Sequence, residues 1–387
     1  MNTDKIIPYG RQNITEEDIL AVVKTLQSEY LTQGPKIKEF EDSFAKYVGA
    51  KYAVALSNGT AALHLSMMAL NLKEGSRVIT SPITFAASAN CVRYCGAEVC
   101  FLDINPSNYC IDIEKLEKCL AESPKGYYSG IIPIHFAGNP VDLHRINKLA
   151  SKYGLWVVED ACHAPGGHII KKNNEKSLIG SCEFSDMTIF SFHPVKHIAC
   201  GEGGMITTNS QAIYNKLLLL RTHGITRDPH LMDKNPGGWY YEMQVLGYNY
   251  RLTDVQAALG ISQLKRADEG LIRRKEIAKK YATFFDSKKY IIGHSNYVEG
   301  HAYHLYIIQV NDRKELYDNL KTKGIYCQVH YIPVHLHPYY KMLGWHEGDF
   351  KQSEFYYDTC LSIPMYPTLT DEEVDYIIKA IEEYYKG

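Results

Sequence analysis

The sequence predicts an α/β protein with a large, mostly parallel sheet that is covered by helices on both faces. Short apolar runs alternate with helical patterns from about residue 50 to residue 210, which is typical of parallel sheets with crossover helices. A chain of 387 residues, 45% of them hydrophobic, is also too long for one compact lobe. We therefore expect a large α/β domain over residues 1–262 and a smaller α+β domain over residues 263–387.

The elements of the large domain follow from these runs. Strands are predicted at residues 52–56, 77–80, 98–103, 130–135, 155–159, 187–192 and 204–207. A first helix is predicted to begin at Thr15-Glu16-Glu17-Asp18, and later helices at residues 60–72, 84–94 and 141–153. Gly154 ends the last of these, because glycine readily adopts the left-handed conformation that closes a helix.

The smaller domain has fewer predicted elements. One long helical stretch, from Thr253 to about Phe285, leads into it, and residues 303–310 predict a strand. Thr370 and Glu373 have the spacing of a capping box, in which each side chain accepts a hydrogen bond from the other residue's backbone N–H. This pair predicts the start of the last helix.

Composition excludes several classes of protein. The net charge is −2, and runs of Lys and Arg or blocks of acidic residues do not occur, so neither nucleic acid nor an anionic membrane is a predicted partner. The ten cysteines lack CxxC pairs and zinc-site spacing, which predicts no metal site and a reduced, cytoplasmic chain. The N-terminus lacks the apolar core of a signal peptide, and no apolar run is long enough to span a bilayer. Small molecules and other protein chains remain as partners.

Two residues supply the two halves of a pyridoxal phosphate site. Asp160 follows the apolar run Leu155-Trp156-Val157-Val158 closely, and a carboxylate there favours the protonated pyridine nitrogen that makes the cofactor an electron sink. Lys196 follows Phe190-Ser191-Phe192-His193-Pro194-Val195, a setting that helps a Schiff-base lysine lose its proton. Alone, the aspartate fits a helix cap and the lysine fits a solvated face, so the prediction depends on the pair.

A phosphate site is predicted beside this pair. Ser57-Asn58-Gly59-Thr60-Ala61 opens an apolar helix, and the free N–H groups at a helix start attract anions. Ser191, five residues before Lys196, adds a hydroxyl. Phe85 follows a strand and a turn, so it is placed to lie on the cofactor ring. The structural alternatives are an ordinary helix cap and a core phenylalanine.

Four motifs resemble the nucleotide-sugar aminotransferases of the DegT/DnrJ/EryC1/StrS group. They are Glu159-Asp160-Ala161-Cys162-His163-Ala164, Phe190-Ser191-Phe192-His193-Pro194-Val195-Lys196, Gly201-Glu202-Gly203-Gly204-Met205 and Gly247-Tyr248-Asn249-Tyr250-Arg251-Leu252-Thr253-Asp254. The resemblance covers nearly the whole chain. It implies the type I aminotransferase fold, pyridoxal 5′-phosphate as cofactor, and a homodimer with active sites at the subunit interface.

The same resemblance implies roles for individual residues. The backbone from Gly59 through Thr60 to Ala61, together with Ser191, is implied to hold the phosphate of its own subunit. Asn249 is implied to reach the phosphate of the neighbouring subunit. His163 is implied to lie near the ring oxygen of the cofactor. Many relatives have Gln at the position of His163, so its role as donor or acceptor stays open.

Further segments resemble the 4-aminotransferases of pseudaminic acid biosynthesis. They are Tyr30-Leu31-Thr32-Gln33-Gly34, Arg221-Thr222-His223-Gly224-Ile225-Thr226-Arg227-Asp228, Trp239-Tyr240-Tyr241-Glu242 and Gln328-Val329-His330-Tyr331-Ile332-Pro333-Val334-His335-Leu336. This likeness implies transfer of an amino group from glutamate to C4 of a UDP-linked 4-keto-6-deoxy amino sugar. The implied substrate contacts are Tyr9, Thr32, Gln33, Gly34, His330 and Tyr331. A turn, a strand end and a loose N-terminal tail are the structural alternatives for these segments.

Three other functions are alternatives for a sequence with this fold. A 3-aminotransferase, or a 4-aminotransferase for another UDP- or dTDP-sugar such as a bacillosamine-type substrate, has the same cofactor motifs. A 3-dehydratase of the same fold carries His in place of the lysine, so Lys196 argues against it. A non-catalytic binding or regulatory protein is expected to have lost Lys196, Asp160 or Ser191, and all three are present.

Overall fold

A computed structural model describes residues 6–386, so residues 1–5 of the predicted large domain and Gly387 of the small one lie outside the described part. In chain order the strands are β1 Tyr52–Leu56, β2 Arg77–Thr80, β3 Glu98–Phe101, β4 Gly130–Ile132, β5 Trp156–Asp160, β6 His168–Ile170, β7 Lys176–Leu178, β8 Met187–Ser191, β9 Gly204–Thr208, β10 Ile225–Thr226, β11 Glu242–Met243, β12 Gly293–His294, β13 Tyr306–Gln309 and β14 Cys360–Ile363.

Within the described part of the chain, two short 3-10 helices lie at Phe136–Gly138 and Val334–Leu336, and the other helices are α-helices. They are α1 Glu16–Leu26, α2 Pro35–Val48, α3 Gly59–Ala69, α4 Ala87–Tyr94, α5 Ile113–Glu122, α6 Leu143–Tyr153, α7 Gln211–Arg221, α8 Asp254–Leu264, α9 Ala267–Phe285, α10 Arg313–Thr322, α11 Pro338–Lys341, α12 Lys351–Thr359 and α13 Asp371–Lys386. Among residues 6–386, none of these helices is long and apolar enough to cross a membrane.

A seven-stranded sheet forms the centre of the fold. Its strand order is β1-β9-β8-β5-β4-β2-β3. β9 pairs antiparallel with β1 and with β8, while β8, β5, β4, β2 and β3 pair in parallel. All strands of this sheet except β9 therefore point in one direction, and the prediction of a mostly parallel α/β sheet is confirmed. The smaller sheets are β12-β13-β14, β10-β11 and β6-β7.

The predicted strands agree with the observed ones to within a few residues. The runs at 98–103 and 130–135 end early as strands, at Phe101 and Ile132. Asp103 has left the sheet, because its carboxylate accepts hydrogen bonds from the N–H groups of Gln352 and Ser353 at the start of α12. β5 extends one residue further than predicted and includes Asp160 as its last residue.

Several predicted helices differ from the structure. Helix α3 ends at Ala69 instead of Leu72, and α6 begins at Leu143 instead of Val141. Helix α4 begins at Ala87 instead of Thr84, and the residues before it form the turn that carries Phe85. The stretch from Thr253 to Phe285 is two helices, α8 and α9, because the backbone leaves helical geometry at Arg266. The guanidinium of Arg266 there donates a 2.5 Å hydrogen bond to Asp18 of α1, so the interruption fixes α1 against the junction of the two helices.

Buried apolar side chains form two cores. The larger core surrounds the central sheet and includes Phe44, Phe190 and Phe192. The smaller core joins α9, α13 and the β12-β13-β14 sheet through side chains such as Tyr281 and Tyr306. Some residues after position 262, such as Tyr356, belong to the larger core. The domain boundary at residue 262 stays a prediction.

Candidate active site

A cavity of about 660 Å³ opens at the carboxyl ends of the parallel strands. This is the edge at which open α/β sheets bind ligands. Eleven of the residues predicted to form the site line the cavity: Tyr9, Gly59, Thr60, Ala61, Phe85, Asp160, His163, Ser191, Lys196, His330 and Tyr331. Residues more than 300 positions apart in sequence therefore surround one space.

Lys196 lies in the loop that follows β8. Its N–H donates to the carbonyl of His193, which makes a tight turn and directs the lysine back over the sheet edge. The Nζ atom lies 3.3 Å from Nε2 of His304. Burial lowers the pKa of Lys196 to about 8, with the nearby Arg274 cation acting in the same direction. An amine with this pKa is partly unprotonated near neutral pH and can act as a nucleophile or a base.

Asp160 is held at the end of β5 by two hydrogen bonds to its carboxylate. Ser88 Oγ donates to Oδ2 at 2.5 Å, and the N–H of Cys162 donates to Oδ1 at 3.1 Å. The residue is only 6% exposed. These donors fix the orientation of the carboxylate inside the cavity, as is required of a partner for a ring nitrogen.

The start of helix α3 and the end of β8 form an anion cradle. Asn58 caps α3, and its Oδ1 accepts the N–H of Ala61 at 2.8 Å. The N–H groups of Gly59 and Thr60 are in the first turn of α3, where they have no acceptor within the helix. Ser191 adds its hydroxyl, and a Cβ on Gly59 would lie only 3.3 Å from that oxygen. Glycine therefore keeps open a space that a phosphate group fits.

His163 lies beside this cradle with a defined pattern of hydrogen bonds. Its Nδ1 accepts the N–H of Ala137 at 3.2 Å, which places the proton on Nε2. The Nε2 atom is 3.2 Å from the Tyr331 hydroxyl oxygen. Burial holds the pKa of His163 well below its ordinary value, so the ring is neutral. The question left open by the sequence is thus answered, since the cavity side of His163 is a hydrogen-bond donor.

Aromatic side chains border the mouth of the cavity. Phe85 is 63% exposed, and its ring centroid lies 6.1 Å from that of Tyr331. Tyr9 packs against His330 with ring centroids 5.1 Å apart. The N-terminal segment that carries Tyr9 is anchored, because the Tyr9 carbonyl accepts the N–H of Met365. The alternatives of a core phenylalanine and a loose tail do not describe Phe85 and Tyr9.

Four predicted site residues lie outside the cavity of their own chain. Thr32 forms an isolated bridge with Thr253, and the N–H of Gly34 donates to Asp254 at 2.7 Å. Gln33, between them, is exposed. Asn249 is exposed as well, and its backbone pairs with Thr222. Contacts of these four residues with a cofactor or substrate stay predictions.

The cavity also contains residues that sequence reasoning did not select. They include Asn58, Ser88, Cys162, Glu202, Tyr250 and His304. Asn58 lies inside a segment already singled out, and its preference for helix caps is a signal that identifies it. His304 has no comparable signal, because it meets Lys196 only through the fold. Across the described residues, no cluster of His, Cys, Asp and Glu could hold a metal ion.

Fold and site together define the class: an α/β enzyme that offers a lysine, a carboxylate and an anion cradle to pyridoxal phosphate at one sheet edge. The chain belongs to the DegT/DnrJ/EryC1/StrS aminotransferase family, whose profile matches residues 12–382. It is a sugar aminotransferase with the type I fold of pyridoxal phosphate enzymes, and pyridoxal 5′-phosphate is its cofactor. The predicted family, fold and cofactor are confirmed.

Similar proteins span the whole chain. The spore coat polysaccharide biosynthesis protein SpsC of Bacillus subtilis is 40% identical over 98% of this chain and 97% of its own length. The UDP-4-amino-4,6-dideoxy-N-acetyl-beta-L-altrosamine transaminase of Campylobacter jejuni strain 81-176 is 38% identical over 99% of both proteins. Helicobacter pylori PseC, an aminotransferase involved in the biosynthesis of pseudoaminic acid, superposes with a TM-score of 0.87 at 28% identity, over 99% of this chain and 100% of that one.

Proposed function

We propose that the protein transfers an amino group from glutamate to C4 of UDP-2-acetamido-2,6-dideoxy-β-L-arabino-hex-4-ulose. The product is UDP-4-amino-4,6-dideoxy-N-acetyl-β-L-altrosamine, a precursor of pseudaminic acid. The observation that carries the proposal is that Lys196 and Asp160 line the same cavity as the polar aromatic residues Tyr9 and Tyr331. The likeness to the Campylobacter jejuni transaminase and to PseC supports this substrate.

The first half of the reaction uses the amino donor. Pyridoxal phosphate, when bound, supplies an electron sink for the carbanion at the donor Cα. Asp160, oriented by Ser88 and the Cys162 N–H, stabilises positive charge on the ring nitrogen. Lys196 removes the proton from the donor Cα, and positioned proton transfer of this kind contributes about a hundredfold to ten-thousandfold in rate. The N–H groups of Gly59 and Thr60 and the hydroxyl of Ser191 would hold the phosphate of the bound cofactor.

The second half delivers the amino group to the sugar. The C4 carbon of the acceptor must face Lys196, because the lysine that took a proton in the first half returns one to C4 here. His163 donates its Nε2 hydrogen within the cavity and therefore orients an oxygen acceptor beside the ring. Phe85 and Tyr331 provide apolar ring surface on one side of the cavity.

Recognition of the sugar is assigned to the mouth of the cavity. His330 uses Nδ1 to contact Ser362 Oγ at 2.9 Å, and its Nε2 has no hydrogen-bond partner among residues 6–386. Tyr9, packed on the His330 ring, offers a hydroxyl group beside it. Epimeric sugars differ in which of their hydroxyl groups find partners, and an unpaired buried polar group costs about 1–3 kcal/mol. This range gives roughly tenfold to hundredfold discrimination for each misplaced group.

We further propose a homodimer with shared active sites. Asn249 is exposed and lies outside the cavity of its own chain, yet it follows Tyr248 and precedes Tyr250, which does line the cavity. Thr32 and Gln33 are exposed as well, and their segment is joined to the same region through the bridge between Thr32 and Thr253. We assign these side chains to contacts with the active site of a second copy of the chain.

The substrate is tested by competition. Purified enzyme with glutamate is offered the β-L-arabino sugar and its C5 epimer, UDP-2-acetamido-2,6-dideoxy-4-keto-D-xylo-hexose, and NMR reads the configuration of the amino product. We expect the L-arabino sugar to have the higher kcat/KM by at least about tenfold. A preference for the D-xylo sugar assigns the chain to a bacillosamine-type pathway. Amination at C3 of another sugar would identify a 3-aminotransferase.

Two variants make this test sharper. Lys196→Ala is the control for amination that does not depend on the enzyme. Tyr9→Phe keeps the packing on His330 and removes only the hydroxyl, so it is expected to lower kcat/KM for the preferred epimer and to reduce the preference between the two epimers. An unchanged ratio of the two kcat/KM values in Tyr9→Phe excludes its hydroxyl as a sugar contact.

A further inference from the structure

We infer that His304 is a positioning residue for the catalytic lysine: its Nε2–H donates a hydrogen bond to the Lys196 amine and holds that amine in its unprotonated form. The two nitrogen atoms lie 3.3 Å apart. This inference rests on the role proposed for Lys196. It assigns His304 a part in the reaction that does not require contact with the sugar.

The His304 ring is held in place from several sides. The residue is only 4% exposed and precedes β13. The guanidinium of Arg274, in helix α9, donates to the carbonyl oxygens of Tyr303 and His304 at 3.1 and 3.2 Å. The ring packs against His163, with centroids 4.4 Å apart. Its distance to Lys196 is therefore set by the backbone and by packing.

The tautomer follows from the other ring nitrogen. His304 Nδ1 is buried and has no hydrogen-bond partner within residues 6–386. A buried N–H without an acceptor is rarer in proteins than an acceptor that lacks a donor, so the ring proton is placed on Nε2. The Nε2–H group then points at Lys196, whose nitrogen must supply the lone pair. An ammonium group has no lone pair and cannot accept this bond.

Other charged and titratable groups around Lys196 also affect its protonation. They are Asp160, Cys162, His163, His197, Arg274, His304 and His330. Asp160 favours the ammonium form, whereas Arg274 disfavours it. Arg274 forms no ion pair with a carboxylate in the described chain, so its positive charge is not cancelled locally. Burial keeps the pKa of His304 well below its ordinary value, and the ring stays neutral.

The consequence concerns the proton that Lys196 carries. In each half-reaction the lysine takes a proton from one carbon and must give it up again. A donor that faces Nζ makes the ammonium form less favourable, so the proton does not remain on the lysine. The same hydrogen bond restricts the rotamers of the free Lys196 side chain.

The test measures the protonation of Lys196 directly. Full-length enzyme with its cofactor in the amine form, in which Lys196 is not covalently occupied, is labelled with trace acetic anhydride over a range of pH. Peptide mass spectrometry then quantifies acetylation of Lys196. We expect a midpoint for the wild type below the 10.5 of an ordinary lysine, because burial lowers the pKa of Lys196. In His304→Gln the amide oxygen can accept from the ammonium group, so the midpoint should rise by about one pH unit.

His301→Gln is the matched control. His301 is a buried histidine in the same segment, and it stacks on Tyr303 at a centroid distance of 3.9 Å without a hydrogen bond to Lys196. The labelling midpoint of Lys196 should stay at its wild-type value in this variant. Circular dichroism and melting temperature establish that each variant is folded, and His304→Asn replaces His304→Gln if the glutamine variant does not fold.

The outcomes separate this inference from the proposed function. An unchanged midpoint in a folded His304 variant means that His304 only packs against the lysine, and a lower midpoint means that it accepts rather than donates; either result overturns the inference. Borohydride reduction of the aldehyde form provides the other check. If the cofactor is then found on a residue other than Lys196, the proposed role of the lysine is wrong, whatever the labelling midpoint.

Discussion

At the scale of single residues, Asp160 is expected to act on the chemistry and not on the fold. Asp160→Asn keeps the size of the side chain and an oxygen acceptor for Ser88 Oγ, but removes the charge. A hydrogen bond to a charged group is worth about 1.5–3 kcal/mol, so kcat should fall by about tenfold to hundredfold. Steady-state kinetics measures the loss, with the melting temperature as a check on folding. Near-normal turnover would contradict the role of Asp160.

Gly59 is predicted to matter because of the space that it leaves. In Gly59→Ala the added Cβ would lie 3.0 Å from Ser191 Cβ and 3.3 Å from its Oγ, so the anion cradle narrows. Loss of one hydrogen bond to the phosphate, about 1.5–3 kcal/mol, should raise the Kd of pyridoxal phosphate by about tenfold or more. Gly238→Ala is the matched control, because nothing lies within 4 Å of its added Cβ. Equal affinity of the two variants for pyridoxal phosphate would rule out phosphate binding at the anion cradle.

The lowered pKa of Lys196 also predicts how stability depends on pH. Its pKa falls from 10.5 to about 8 on folding, so the unfolded chain binds more protons between these values and the wild type gains stability as the pH rises through them. Lys196→Met removes the cost of the buried ammonium. Without cofactor, this variant should be more stable than the wild type by about 3 kcal/mol at pH 7, and this contribution should vanish above about pH 10. Urea unfolding at several pH values measures it, and a constant difference would contradict the shift.

At the scale of elements, the thermal stability of α13 is expected to depend on its cap. The Glu373 N–H donates to Thr370 Oγ1 at 3.2 Å, and the Thr370 N–H donates to the Glu373 carboxylate at 2.9 Å, as the capping-box pattern predicts. Thr370→Ala should lower the free energy of unfolding by about 1 kcal/mol without changing KM. Thr370→Ser keeps the hydroxyl and should restore most of the loss. A full effect in the serine variant would mean that the methyl group, not the cap, is responsible.

The sequence predicts strands better than it predicts interruptions in helices. Buried parallel strands are continuous apolar runs bounded by polar residues, so β1 and β2 were located to the residue. The break between α8 and α9 has no proline or glycine to mark it. At the break, Arg266 contacts Asp18, almost 250 residues away, and local periodicity carries no information about such a contact.

Some residues of the candidate site can be predicted from the local sequence, and others cannot. Asp160, Ser191 and Gly59 lie at strand ends or a helix start, positions that a pattern of elements can identify. His304 lies in a segment that the sequence predicts as part of a strand at residues 303–310, whereas β13 begins only at Tyr306. His304 belongs to the site because it lies close to Lys196, and that proximity is a property of the tertiary fold.

At the scale of the whole molecule, the cavity is assembled from distant parts of the chain. Tyr9 comes from the N-terminal segment, Asp160 and Ser191 from the central sheet, and His304 and Tyr331 from the C-terminal third. The N-terminal segment is itself tied to the C-terminal part, since Ile7 and Ile325 form a parallel bridge. Movement of the C-terminal part relative to the sheet would therefore change the mouth of the cavity and the surroundings of Lys196 together.

The last prediction is that one active site needs two chains. Lys196→Ala lacks the amine, and Asn249→Asp places a negative charge where the neighbour's phosphate is expected, so each variant alone should be almost inactive. In a heterodimer of the two, the site that contains Lys196 of the Asn249→Asp chain receives the normal Asn249 from the other chain, and activity should return at one of its two sites. Differently tagged chains, purified as heterodimers, allow the measurement. Heterodimers that remain inactive would show that Asn249 does not serve the neighbouring site.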